Sequence, residues 1–367
     1  MSAGFPQFEW FGLSIRLMER SALASYNRLF VRGTGTEPMS ESATGLVEDQ
    51  IRKYGRSSTF EISCLTNMAK VVEEMGQKGI SIPAGQMFSI VDKCTEPGTK
   101  DTDRVKTIER SAQVVKLGFR PVPHMAARRY RDAGHLKGIV QGLIDAGTDG
   151  FLLLAGDPRQ PIGAFRSAMD LADTGVFDDA RVKTIVFAGH PYGNPNTSRD
   201  KTASELRRKN AYAAAHPEKE LFLWTQVCYS PSKFMRWVNR LQAEGNKLPV
   251  HPGVMLGDVR AKFAFAHGNF VAGRPTHEQI RGYFKMLQIG AAQGIDGIGS
   301  LVAPVPMSFI SRMAREAASD KRICGMHYYS GFGAAAVKHA VEVNHMLTTG
   351  QFECSGKAVT LRTVQAG

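Results

Sequence analysis

Two carboxylates stand where folding alone gives them little reason to be. Glu61 lies inside the apolar run Thr59-Phe-Glu-Ile-Ser63. A carboxylate in a buried strand is costly unless compensated. Desolvation raises its pKa, which suits a general acid working near neutral pH. An exposed or salt-bridged structural glutamate fits the same pattern. Asp157 follows the apolar run Gly150-Phe-Leu-Leu-Leu-Ala-Gly156 and precedes Pro158. It reads as a functional carboxylate at a strand end or as an Asp-Pro turn former. Gln226 interrupts Leu223-Trp-Thr-Gln-Val227. An amide there must find partners or hold a ligand, and it offers a donor and an acceptor together. His124, after Pro121-Val-Pro123, is structural or catalytic. His190-Pro-Tyr-Gly-Asn-Pro195 is a turn-rich loop of the kind that holds ligands, although loop punctuation alone gives the same composition. Arg207-Arg-Lys209 either grips a diphosphate or lines a solvated helix face.

These residues need elements to position them. Strand-like runs fall at Thr59–Ser63, Phe88–Asp92, Phe119–Met125, Gly150–Gly156, Thr184–Gly189, Leu221–Val227, Leu248–Met255 and Ile323–Ser330. Helical patterns fall between them at Leu65–Met75, Arg104–Leu117, Ala164–Asp173, Ala203–Ala215, Ser232–Gln242 and His277–Ala292. In the segment from His135 to Asp157, helical spacing of Leu136, Ile139, Val140, Leu143 and Ile144 leads through Gly147 into the fourth strand. Eight alternating units predict an α/β fold, a (β/α)8 TIM barrel with an N-terminal extension. Chemistry in such barrels sits where the strands end. No GxGxxG follows the first strand, and no P-loop, HExxH or GxSxG is present.

The length of 367 residues suits one barrel of about 250 residues with additions. Residues 1–57 read as an N-terminal extension and linker, 58–350 as the barrel and 351–367 as a C-terminal tail. No apolar run reaches the roughly 20 residues of a membrane span, and the N-terminus lacks a signal pattern, so a cytoplasmic protein is expected. The five cysteines are scattered without CxxC, which argues for buried or free thiols rather than a disulfide framework or a metal cluster. A net charge of +12 attracts anions. Without a basic tail or a nucleic-acid signature, an anionic small molecule is a better partner than nucleic acid. A homo-oligomer is left open.

Taken in order, the fragments resemble the methylenetetrahydrofolate reductase family over about Thr59 to Ser330. They are Phe60-Glu61, Pro123-His124, Leu154-Ala-Gly-Asp-Pro158, His190-Pro191 with Asn194-Pro195, Leu206-Arg-Arg-Lys209, Thr225-Gln226, Pro252-Gly253-Val254 and His327-Tyr-Tyr329. The resemblance implies a flavin-containing barrel that interconverts 5,10-methylene- and 5-methyl-tetrahydrofolate through FAD. It implies Glu61 as general acid and Asp157 near flavin and pterin. It also implies His124, Met125, Ala126, Ala155, Gly156, Asp157, His190, Asn194 and Lys209 at the flavin, with Gln226, Asp157 and Tyr329 at the folate. It implies no metal.

The departures alter the nicotinamide side and remove one flavin contact, at Ala155. Ala155 replaces the family's arginine, Val91-Asp92-Lys93 replaces a Thr-x-Gly loop, and Arg260 stands where the family stacks an aromatic on nicotinamide. Folate and flavin are therefore expected with weak or no NAD(P)H use, running toward oxidation of methyl-tetrahydrofolate. The alternatives are a non-redox tetrahydrofolate-binding barrel or methyl-transfer partner and, from the charge, a nucleic-acid binder.

Overall fold

The computed structural model describes residues 41–91, 104–156, 160–192, 199–228, 230–256, 305–316, 322–330, 333–355 and 358–362. Eight parallel strands close into a barrel in sequence order: β1 Thr59–Ser63, β2 Met87–Val91, β3 Arg120–Ala126, β4 Gly150–Leu154, β5 Thr184–Gly189, β6 Glu220–Val227, β7 Val250–Met255 and β8 His327–Tyr329. Closure is made by β1 and β8 through Thr59↔His327 and Phe60↔Tyr328. The helices described are α1 Glu41–Arg56, α2 Met68–Gln77, α3 Val105–Lys116, α4 Ala133–Asp145, α5 Ala168–Ala172, α6 Arg199–Ala215, α7 Pro231–Ala243, α8 Met307–Glu316 and α9 Ala334–Thr349. The predicted barrel is thus observed. None of the described helices is long and apolar enough to cross a membrane.

Alternation along each strand builds two apolar layers. Phe60, Ile62, Phe88, Ile90, Phe151, Leu153 and Phe187 face the helical shell. Val122, Leu152, Val186 and Trp224 fill the lumen. At the N-terminal ends of the strands, Arg120 joins Asp149 at 3.2 Å, Glu220 at 3.3 Å and the Thr184 hydroxyl at 2.7 Å. That network pins the starts of four neighbouring strands at the structural end of the barrel and leaves the C-terminal mouth for chemistry.

Element boundaries shift for local reasons. The fourth strand stops at Leu154 instead of Gly156, because Gly156 turns to φ +87°. The seventh begins after Pro249, which has no N–H to give and contributes only its carbonyl, to Leu223 at 2.8 Å. The last strand is shorter than expected: Ile323 makes an isolated bridge to Val250, and Gly325 is pressed against the Ser57 backbone before pairing resumes at His327. Helix α5 starts only after Ser167, which forms a capping box with Asp170. The helix expected at His277–Ala292 lies outside the described residues.

Residues before the barrel include α1, whose Val47, Ile51 and Tyr54 are buried. Its end approaches α9 so closely that a side chain at Gly55 would strike Thr348. After α9 the chain forms an antiparallel hairpin, β9 Phe352–Ser355 and β10 Ala358–Leu361, which buries Phe352 and Val359. One cysteine departs from expectation. Cys64 is disulfide-bonded, whereas Cys228, Cys324 and Cys354 are free. No CxxC or other short cysteine spacing in the sequence signals such a bond.

Candidate active site

The mouth of the barrel is built from strand ends. Glu61 pairs in register with Ser89, and Ser89 with Val122, a lumen residue. Register partners in a parallel sheet share a face, so Glu61 looks into the lumen. It is 3% exposed. On the other side of β1 the pairing Phe60↔Tyr328, extended by one residue, sets Tyr329 beside Glu61. Tyr329 is half-buried, and its hydroxyl donates to the Thr225 carbonyl at 3.1 Å.

That bond reaches an irregularity in β6. The register with β7 shifts between Trp224 and Val227, which flank Thr225 and Gln226. Such bulges re-aim side chains and collect next to active sites. Gln226 is the exposed residue of this segment, although Thr225 and Val227 on either side are buried. Its Oε1 accepts from the Val227 N–H at 3.0 Å, leaving its NH2 group at the mouth. The Thr225 hydroxyl accepts from Gly253 N–H at 2.9 Å and donates to the Gln226 carbonyl at 2.9 Å. Gly253 cannot be larger: a Cβ there would lie 2.5 Å from the Thr225 carbonyl, 2.7 Å from the Tyr329 ring and 2.8 Å from the Gln226 carbonyl. Three strands therefore meet in one tight corner that holds Gln226 and Tyr329.

Opposite this corner, three adjacent strands end in small residues. Ala126 closes β3, Ala155 and Gly156 follow β4, and Ala188 stands near the end of β5. The Arg128 N–H donates to the Ala155 carbonyl at 3.0 Å and fixes this edge. The side chains at this edge are small: three alanines and a glycine. His124 pairs with Leu152 in register, which turns it to the lumen, half-buried. Met125 turns the other way, into the helical shell, where Tyr130 donates to its sulfur at 3.6 Å. Only its backbone is available to a ligand at the mouth. Asp157 and Asn194 lie outside the described residues.

Beyond β5, His190 and Lys209 form a polar corner with a single cation, Lys209. The Lys209 ammonium donates to the Ala188 carbonyl at 3.0 Å and lies 5.7 Å from the centre of the Phe187 ring. Burial lowers its pKa to about 8. Burial, aided by the Lys209 charge, lowers His190 to about 4, so its imidazole is neutral at physiological pH. The three consecutive cations of α6 diverge. Arg208 is committed to Glu205 at 2.6 Å and Asp173 at 2.5 Å, Arg207 is exposed, and Lys209 alone faces the strand end. Helical geometry, which spaces successive residues around the axis, breaks up the triple grip that the sequence suggested.

Sequence reasoning missed the residues beneath the mouth. Ser89, Trp224, His251 and His327 all face the lumen, where the Trp224 and His327 rings stack at 4.6 Å. His327 Nδ1 and the Thr59 hydroxyl share a hydrogen bond of 2.8 Å. Trp224 was hidden in an apolar run, and His251 beside Pro252 carried no motif. Cys228, next to the bulge, is no nucleophile at neutral pH, because burial pushes its thiol up to about 12. Among the described residues no group of three metal-ligating side chains converges.

A family model described as methylenetetrahydrofolate reductase matches residues 68–267, more than half of the chain. The match starts beyond β1, so Glu61 and Tyr329 rest on geometry and on their own motifs. Among solved structures, one provisionally assigned as a phosphonomutase from Burkholderia cenocepacia J2315 has 11% identity and a TM-score of 0.40, over 84% of this chain and 98% of that one. The tryptophan synthase alpha subunit from Legionella pneumophila str. Paris has 11% identity and a TM-score of 0.34, over 75% and 98%. Neither likeness bears on this chain's chemistry.

Proposed function

This chain belongs to the methylenetetrahydrofolate reductase family, and from that premise we propose that it interconverts 5-methyl- and 5,10-methylene-tetrahydrofolate on a bound FAD. Membership by itself supports folate-linked reductase chemistry in general. The finer reading is carried by one observation: a carboxylate 3% exposed, on the lumen side of β1, in register beside the strand that brings Tyr329.

The donor set fits a flavin. Ala126, Ala155, Gly156 and Ala188 carry small or no side chains where its ring would lie, while His124 and His190 would offer polar groups and Lys209 a cation at its edge. A bound flavin supplies hydride exchange with the one-carbon unit. The protein's own residues do the rest. Gln226 presents its amide to the pterin edge and orients it. Tyr329, fixed by the Thr225 carbonyl, walls the pterin from the β8 side. In the reducing direction Glu61 gives a proton to the bridge nitrogen as the carbon–nitrogen bond of the methylene bridge opens. In the oxidising direction its carboxylate takes that proton back as the bridge closes. Asp157 orients the pterin. Arg260, in place of a stacking aromatic, supports weak use of NAD(P)H and a bias toward oxidation of the methyl group.

Glu61→Gln tests this reading. Flavin content is expected to stay at the wild-type level, with turnover falling about 100-fold or more, as for a lost general acid. Near-normal turnover would remove Glu61 from the mechanism. Ala155, where the family has an arginine, favours a second reading, a folate-binding barrel without flavin. A pure protein that stays colourless after incubation with FAD yet binds tetrahydrofolate would support that alternative.

A further inference from the structure

The lumen is not uniform. Its β3 to β6 side is apolar, with Val122, Leu152, Val186 and the ring of Trp224. The side beneath Glu61 is polar, carrying Thr59, Ser89, His251 and His327 on β1, β2, β7 and β8. Four polar atoms of this lumen are buried with no hydrogen-bond partner among the described residues: Ser89 Oγ, Trp224 Nε1, His251 Nδ1 and His327 Nε2. They belong to one cluster. Trp224 stacks on His327 at 4.6 Å and lies 6.1 Å from His251, and Ser89 is the register partner of Glu61. Buried polar groups are satisfied by protein or by ordered water, and four left dry in one core would take a large share of a protein's folding stability.

We propose that ordered water fills this polar half of the lumen, and that Trp224, Ser89 and His327 are positioning residues which act through that water on the proton of Glu61. The proposal rests on the function given above, because it assigns Glu61 the working proton. Direction follows from donor chemistry. An indole N–H can only donate. A water that accepts from Trp224 keeps both of its hydrogens to give, and Glu61 is the acid one lumen step above the Thr59–His327 pair. Donation toward the carboxylate favours its charged form. Around Glu61 the titratable groups on the packed strands, among the described residues, are His124 on β3, His251 on β7, and His327 and Tyr329 on β8. Burial lowers His251 to about 4 and His327 well below its ordinary value, with His124 and His251 adding to the latter. Both therefore stay neutral near pH 7 and serve the water as hydrogen-bonding groups rather than as charges.

Two measurements test this. A crystal structure of the full chain with resolved solvent is expected to show water within hydrogen-bond distance of Trp224 Nε1, His251 Nδ1 and His327 Nε2. A dry lumen at those atoms would overturn the proposal. The second measurement is the pH profile of kcat. Trp224→Phe keeps the stacked ring and removes the N–H, and Ser89→Ala is the smaller companion change should the first fail to fold. Either is expected to move the limb that Glu61→Gln abolishes upward by about one pH unit, with KM little changed. If Glu61→Gln abolishes the limb and both lumen variants leave it in place, the proposal falls and the assigned function stands. If Glu61→Gln leaves turnover near normal, the assigned function falls with the role given to the water.

Discussion

The hydroxyl of Tyr329 donates to the backbone carbonyl of Thr225 at 3.1 Å, and this bond ties the end of β8 to the bulge in β6 that turns Gln226 outward. Tyr329 and Gln226, 103 positions apart in the chain, thus become one wall of the mouth. Gly253 between them has no space for a side chain, so the corner has little freedom to relax.

Tyr329→Phe removes that bond and leaves the ring. The expected result is a KM for the folate raised about tenfold, equivalent to about 1.4 kcal/mol, with kcat changed less. Steady-state kinetics with 5-methyl-tetrahydrofolate checks it. An unchanged KM would mean that the corner does not set the folate's position.

Lys209 gives a pH signature. Its pKa is lowered by burial to about 8, so the ammonium carries its charge below that value and loses it above. If it meets the FAD diphosphate, affinity for FAD weakens as the pH rises from 7 to 9, and Lys209→Met removes that dependence. Titration of the apoprotein with FAD at several pH values measures both. A flat profile in the wild-type protein would assign Lys209 to the Ala188 carbonyl alone.

His251 makes stability depend on acid. Burial lowers its pKa from 6.5 to about 4 in the folded protein. Between these values the unfolded chain binds more protons than the folded one, so stability falls as the pH drops through that window. It is unaffected by this group above about 6.5 and levels off below about 4. The shift corresponds to about 3 kcal/mol. His251→Phe is expected to flatten urea midpoints between pH 6.5 and 4. An unchanged slope would place the acid sensitivity at other groups, such as His190.

The barrel was legible because its strands are short apolar runs between glycine turns and helical periods, a pattern carried by each segment on its own. Glu61 was legible for the same reason, as a charge out of place in such a run. The position of Gln226 was not. The residue stood out in the sequence, but the bulge that aims it depends on Thr225 meeting Gly253 on another strand. That Arg208 is held by Asp173, 35 residues earlier, was equally hidden from a local reading. Trp224 and His251 gave no signal, because an indole or imidazole in an apolar strand looks like core until the pairing of β6 with β7 sets the two rings 6.1 Å apart. The disulfide at Cys64 likewise gave no signal, because no CxxC marks it.

The most direct test is the visible spectrum of the pure protein under anaerobic conditions, before and after addition of 5-methyl-tetrahydrofolate. The account predicts a flavin band that bleaches on addition of the folate, with little bleaching by NADH. A bound flavin that stays oxidised in the presence of 5-methyl-tetrahydrofolate would contradict it.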